Sequence, residues 1–260
     1  MKDVLFEFEK RCEVKFSGST PENYTLHVSN FLKHIGKSNV DSKDVFRYNV
    51  HIREYSFSYR NIALNAIKAY FLLMLNKKVE GVANIRPPKQ NKKPKVYDCT
   101  VMAIKIDCIK NSKHRSMLAI ALCCWLRKSE LLNLKISDIN GSLRMGHIKN
   151  SKGCKDRIIP ITENTLNILR AYYKEHKPKE YLFEGQNGGK YSATSVDKIT
   201  KKYLFPEMRF HGIRASGATY ALSNGTDLKT VSELLGHSKI QTTEYYIPIL
   251  YQNVKQAICL

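Results

Sequence analysis

The sequence predicts a mostly α-helical protein in two domains, the second of which carries a small antiparallel β-hairpin. Apolar residues recur at helical spacing along most of the 260-residue chain, whereas alternation of period two is confined to residues 144–161. A run rich in Pro and Lys at 86–96 interrupts both patterns and divides the chain. With 43% hydrophobic residues there is enough apolar surface for two modest cores or one large one.

Residues 1 to about 85 read as all helical. Ser19-Thr20-Pro21-Glu22 is a helix start with a capping box and a Pro at the first helical position; Tyr24, Val28, Phe31, Leu32 and Ile35 then share one face, and Gly36 ends it. A second helix is expected near Ser42 and a third from about Ser58, with Tyr59, Ile62, Ala63, Ala66, Ile67, Tyr70 and Met74 on its stripe; these aromatics read as core. In the linker, residues 86–96, three prolines forbid a regular helix, and Arg86, Lys89, Lys92, Lys93 and Lys95 have no acidic neighbour. A solvated charge run would look the same, but in a chain this basic, between two compact halves, a strap across an anionic partner is the expectation.

The second domain, residues 97–260, starts near Tyr97. A buried helix with Ala119, Leu122 and Cys123 leads into Trp125-Leu-Arg127-Lys-Ser-Glu130. An arginine leaving so apolar a run needs an anion, so Arg127 should point at a ligand phosphate or at Glu130, one turn on. Met145 to Lys149 and Arg157 to Ile161 read as two strands, joined by a turn that holds Lys152 and Lys155. Thr162 to His176 and Ser192 to Leu204 read as helices with polar caps. Ala215 to Leu222 is helical and stops at Asn224-Gly225. A last short helix has Thr226 as its N-cap, Leu228, Val231, Leu234 and Leu235 as its stripe, and Gly236 at a left-handed C-terminal position.

Forty-three basic residues against 23 acidic ones give a net charge of +20, with an isoelectric point near 9.6. A surplus of this size points to a polyanionic partner. A membrane surface is the competing reading, but there is no long basic amphipathic helix, and the longest apolar run, Met117 to Leu126, is too short to span a bilayer. Nor does the N-terminus carry the apolar run of a signal peptide. Seven scattered cysteines without a Cys-x-x-Cys pair read as reduced thiols of a cytoplasmic protein, neither a disulfide frame nor a zinc site. There is no Walker lysine motif and no carboxylate cluster for metals; the expected cofactor set is none.

The stretch from Phe210 to Tyr246 gathers His211, Arg214, His237 and the Tyr245-Tyr246 pair around two short helices. Any one of these residues alone would be ordinary structure. Together they suit phosphoryl transfer: arginine pairs bidentately with phosphate oxygens, histidine donates or accepts near neutral pH, and a tyrosine hydroxyl can attack phosphorus.

His211-Gly-Ile-Arg214-Ala-Ser-Gly-Ala-Thr followed by Leu234-Leu-Gly-His237-Ser-Lys-Ile-Gln-Thr-Thr-Glu-Tyr-Tyr246 resembles the C-terminal signature of the tyrosine recombinases, the phage-integrase and Xer-type family. The segment around Arg127 resembles that family's first arginine box, where a Gly commonly stands in place of Trp125. Residues 152–157 resemble its hairpin lysine motif, which singles out Lys152, with Lys155 as the fallback. The resemblance implies a small helical core-binding domain, a linker and a larger catalytic domain, the two domains closing on double-stranded DNA as a clamp.

It also implies a reaction. Tyr246, nine residues after His237, would be the nucleophile, and Tyr245 the alternative. Arg127, Arg214 and His237 would hold the phosphorane-like transition state, His211 would be the base, Lys152 the general acid and Glu130 an orienting residue. Paired recombination sites and a homo-tetramer on DNA follow, with residues 247–260 either exchanged between protomers or folded back on their own core. Three alternatives stay open: a type IB topoisomerase-like enzyme, a nuclease, and a DNA-binding protein whose site has decayed.

Overall fold

Capping groups and apolar spacing account for the four helices before the linker, α1 (Lys2–Lys15), α2 (Thr20–Ile35), α3 (Ser42–His51) and α4 (Phe57–Met74). The computed structural model describes residues 2–79, 95–149, 156–236 and 241–244. It separates into two units, Met1–Lys92 and Lys93–Leu260. Helix α3 opens with a reciprocal capping box in which Asp41 accepts from the Asp44 amide and Asp44 from the Asp41 amide, at 2.9 and 3.0 Å. Helix α4 is capped by Ser56.

At the start of α2 the expected capping box does not form. Ser19 has ψ 8°, not the extended backbone of an N-cap, so its hydroxyl does not reach the amides ahead of it. The predicted core face of α2 is present: Val28, Phe31 and Leu32 are fully buried. On α4 the buried arc takes in Leu64 and Phe71 and leaves Ile62 39% exposed, because α1 and α2 both pack on this helix and widen its buried face. The edge-on pairs Phe8–Tyr70 and Phe31–Tyr48, with centroids 5.5 and 5.3 Å apart, close this core.

The second unit is built on a long apolar helix. Helices α5 (Cys99–Asp107) and α6 (Ser112–Cys124) are capped by Asp98 and Asn111. Residues 117–121 of α6 are all buried and carry the core that also holds Ile148, Ile159, Leu166, Tyr172, Phe183 and Phe210. Helix α7 (Lys128–Asn133) and a 3₁₀ turn lead to an antiparallel sheet in the order β1 (Ile139–Asn140), β2 (Met145–Ile148), β3 (Arg157–Pro160). The two predicted strands are β2 and β3; the two-residue β1 has too little sequence to show a period.

Register sets which side chains face in. Gly146 pairs with Ile159 and Ile148 with Arg157, so Ile148 and Ile159 enter the core while Ile158 is 64% exposed. Arg157, two residues before Ile159, therefore shares the inward face. Helices α8 (Glu163–His176) and α9 (Ala193–Tyr203) follow as predicted. Thr162 caps α8 by accepting from the Thr165 amide, but Ser192 does not cap α9, its hydroxyl being paired with that of Thr194 at 2.8 Å.

Three helices end the described chain, α10 (His211–Ser223), α11 (Leu228–Leu235) and α12 (Gln241–Glu244). Asp227, not Thr226, is the N-cap of α11: its extended backbone lets the carboxylate accept from the Thr230 amide at 2.9 Å. Gly236 holds φ 60°, a left-handed turn that suits glycine and closes α11. No described helix is long and apolar enough to cross a membrane. Asp227→Ala should lower the urea midpoint of unfolding and Thr226→Ala should leave it in place; the reverse order would return the cap to Thr226.

Candidate active site

The site begins where α6 stops. Trp125 takes the left-handed conformation, φ 47° and ψ 45°, and the chain turns through buried Leu126 to Arg127, the residue that opens α7. Glu130 sits three residues on, where a carboxylate reaches back to the first amide of its helix, and accepts from the Arg127 amide at 2.7 Å. Only 3% of its side chain is exposed.

Three guanidinium groups gather on this carboxylate. Arg127 Nη1 donates to Oε1 at 2.6 Å. Arg157, inward-facing from β3, donates from Nη1 and Nη2 to the two oxygens, both at 2.8 Å. Arg214, from the first turn of α10, stands 3.9 Å away. Burial alone would raise the Glu130 carboxyl, but the Arg157 fork, the Arg127 amide and the Arg127 side chain hold it down at about 2.

The same three arginines bind the end of α11. Arg157 Nε donates to the Leu234 carbonyl and Arg127 Nη2 to the Gly236 carbonyl, each at 2.9 Å. Arg214 donates from Nη2 to the Leu235 carbonyl and from Nη1 to the Trp125 carbonyl, the latter at 2.8 Å. Three consecutive carbonyls at the negative end of a helix thus meet three cations, and the next residue is His237. Exposure is graded: 20% of the Arg127 side chain, 8% of Arg157 and none of Arg214 reaches solvent.

His211 opens α10, three residues before Arg214. It lines a groove of about 310 Å³ with Lys95, Tyr97, Glu207, Arg209, Gly212 and Ala215. Loss of hydration, then the charges of Arg214 and Arg127, push its imidazole below the ordinary histidine range although solvent still reaches it. The ring is therefore neutral at neutral pH and able to accept a proton.

Of the residues singled out in the sequence, Arg127, Glu130 and Arg214 meet directly, His211 lies one turn from Arg214, and Lys95 is exposed on the groove. Lys152, His237 and Tyr246, their alternatives Lys155 and Tyr245, and Arg86, Lys89, Lys92 and Lys93 of the linker lie outside the described residues. The Glu130 contact expected of Arg127 is present. Arg157 was not expected. Its signal was its parity with Ile159 on β3, which turns an arginine toward the interior where only an anion offsets the cost.

Residues 100–253 match the model of the phage integrase family. The chain belongs to that family. It is 33% identical to tyrosine recombinase XerA of Pyrococcus furiosus over 98% of this chain and 93% of that protein. Its counterpart from Pyrococcus horikoshii is 30% identical over 98% and 92%. Among solved structures, XerH site-specific recombinase bound to a palindromic difH substrate in a post-cleavage complex superposes with a TM-score of 0.74 at 20% identity, over 92% of this chain and 79% of that one. A lambda integrase (75–356) dimer bound to a COC′ core site gives 0.72 at 14% identity, over 95% and 94%. At such identities these structures speak for the fold, mostly helical with one small antiparallel sheet.

Glu130→Gln keeps the shape and removes the charge, and should destabilise the chain by about 3 to 5 kcal/mol, since it leaves buried cations uncompensated. Because the folded carboxyl lies below its ordinary 4.5, its contribution is full above that pH and fades as pH falls toward about 2, a span of roughly 3 kcal/mol. Urea unfolding across the acid range should show this slope in the wild type and not in Glu130→Gln. Equal slopes would contradict the placement.

Proposed function

We propose that this chain is a site-specific DNA recombinase that breaks and rejoins strands through a 3′-phosphotyrosyl intermediate on Tyr246. The observation that carries the reading is the arginine cluster: Arg127 and Arg214, fixed by Glu130 and by the carbonyls just before His237, supply preorganised positive charge beside a histidine held neutral. Membership of a family whose relatives are named tyrosine recombinases supports it.

In this mechanism the phenolic oxygen of Tyr246 attacks phosphorus in line, and its proton passes to His211. The new P–O bond forms as the bond to the 5′-oxygen breaks, and that oxygen takes a proton from Lys152. Arg127 and Arg214, with a hydrogen bond from His237, hold the charge on the non-bridging oxygens. The phosphotyrosyl link conserves the energy of the broken diester, so the 5′-hydroxyl of another strand reverses the step without a nucleotide cofactor.

The proposed partner is double-stranded DNA with paired sites. Arg86, Lys89, Lys92, Lys93 and Lys95 would lie against the backbone, each phosphate contact adding about 0.9 to the salt slope of binding. The helical domain expected at residues 1–85 serves as the core-binding domain in this reading. Two duplexes with two protomers each make the tetramer, and residues 247–260, with Leu250, Val254 and Ile258 at every fourth position, are the segment offered for exchange.

A nicked suicide duplex tests the chemistry. Tyr246→Phe should abolish the covalent protein–DNA band, Tyr245→Phe should keep it, and EDTA should leave it unchanged; a band from Tyr246→Phe would overturn the assignment. Arg127→Ala should slow cleavage on the order of a hundred- to a thousandfold. The acid limb of the rate should lie below the ordinary histidine value of 6.5, since His211 is shifted down.

A further inference from the structure

Gly217 lies inside α10, where a glycine weakens a helix and calls for a packing reason. The reason is Trp125. A Cβ at residue 217 would collide with Nε1 and Cδ1 of the indole, so the ring fills the notch that the missing side chain leaves. Around it Ala215, Ala218, Val231 and Leu235 of α10 and α11 form a small separate core.

Two further observations tie this contact to the chemistry. Trp125 adopts the left-handed conformation that disfavours L-residues, and this turn aims its carbonyl at Arg214, which donates to it at 2.8 Å. The same turn sets the start of α7, two residues on, where Arg127 meets Glu130. The tryptophan is thus the joint between the two arginine-bearing segments.

We propose that Trp125 and Gly217 form a matched pair that positions Arg127 and Arg214 relative to each other, with Trp125 acting as a positioning residue through its indole in the α10 notch and its carbonyl on Arg214. The inference rests on the recombinase reading for its kinetic part and on packing alone for the rest. In a chain where glycine stands at 125, residue 217 would be free to carry a side chain.

Because Trp125 is the single tryptophan of the chain, its fluorescence reports the pair directly. Wild type, Gly217→Ala, Trp125→Gly and the double variant are to be compared for Tm, for Kd on a nicked duplex and for the single-turnover rate of covalent complex formation on it. Gly217→Ala should shift emission to the red, lower Tm and slow cleavage on the order of a hundredfold while Kd holds, since displacing the arginines affects the reacting centre more than the bound backbone. Adding Gly217→Ala to Trp125→Gly should instead raise Tm, as alanine favours the helix, and the double variant should cleave faster than Gly217→Ala alone.

Wild-type emission and rate in Gly217→Ala, a double variant no faster than Gly217→Ala, or a rate that falls in step with affinity as Kd rises would each overturn the proposal. A wild-type protein that forms no covalent complex would instead sink the recombinase reading, and emission together with the sign of the Tm change would still decide whether the two positions are matched.

Discussion

One buried, ionised carboxylate organises the second unit. Glu130 accepts from Arg127 and Arg157 and lies 3.9 Å from Arg214. Taking such charges out of water is unfavourable, and a well-packed apolar replacement is often as stable, so a cluster like this one is better explained by the geometry it imposes than by net stability. What it imposes is the position of three cations and, through the Leu234, Leu235 and Gly236 carbonyls, the position of the end of α11.

The fold exists around that junction. The apolar α6 delivers Arg127 through a left-handed turn, the first turn of α7 delivers Glu130, strand parity delivers Arg157, and α10 delivers Arg214. These residues are up to 87 positions apart in sequence, from Arg127 to Arg214, and only the shared core of residues such as Leu118, Ile159 and Ile213 brings them together. In the proposed reaction, cations fixed before the substrate arrives would need no reorganisation when charge develops on phosphorus, which is usually the largest single source of rate enhancement. Arg127, the most exposed of the three, is the one best placed to meet solvent-borne charge.

Much of this was legible in the residues. Helical spacing located α2, α3, α4 and α8 to α11, and period two located β2 and β3, because each buries one continuous face. The spacing of His211 and Arg214 placed both on the first turn of one helix, and the need for an anion next to Arg127 pointed to Glu130. The misses have local causes. Ser19 and Thr226 are cap residues by type, but the backbone angle at Ser19 and the carboxylate of Asp227 decided otherwise. Arg157 was hidden because its role depends on register, a long-range property, and the Trp125–Gly217 contact because it joins a turn to a helix 92 positions later in the chain.

The central claim is that the Glu130-held arginines act on the negative charge of the scissile phosphate. Its most direct test replaces that phosphate with an uncharged methylphosphonate and compares cleavage by the wild type and by Arg127→Ala on both substrates. The account predicts that the deficit of Arg127→Ala, large on the phosphate, shrinks sharply on the methylphosphonate, where one negative charge is already gone. An equal deficit on both would contradict it.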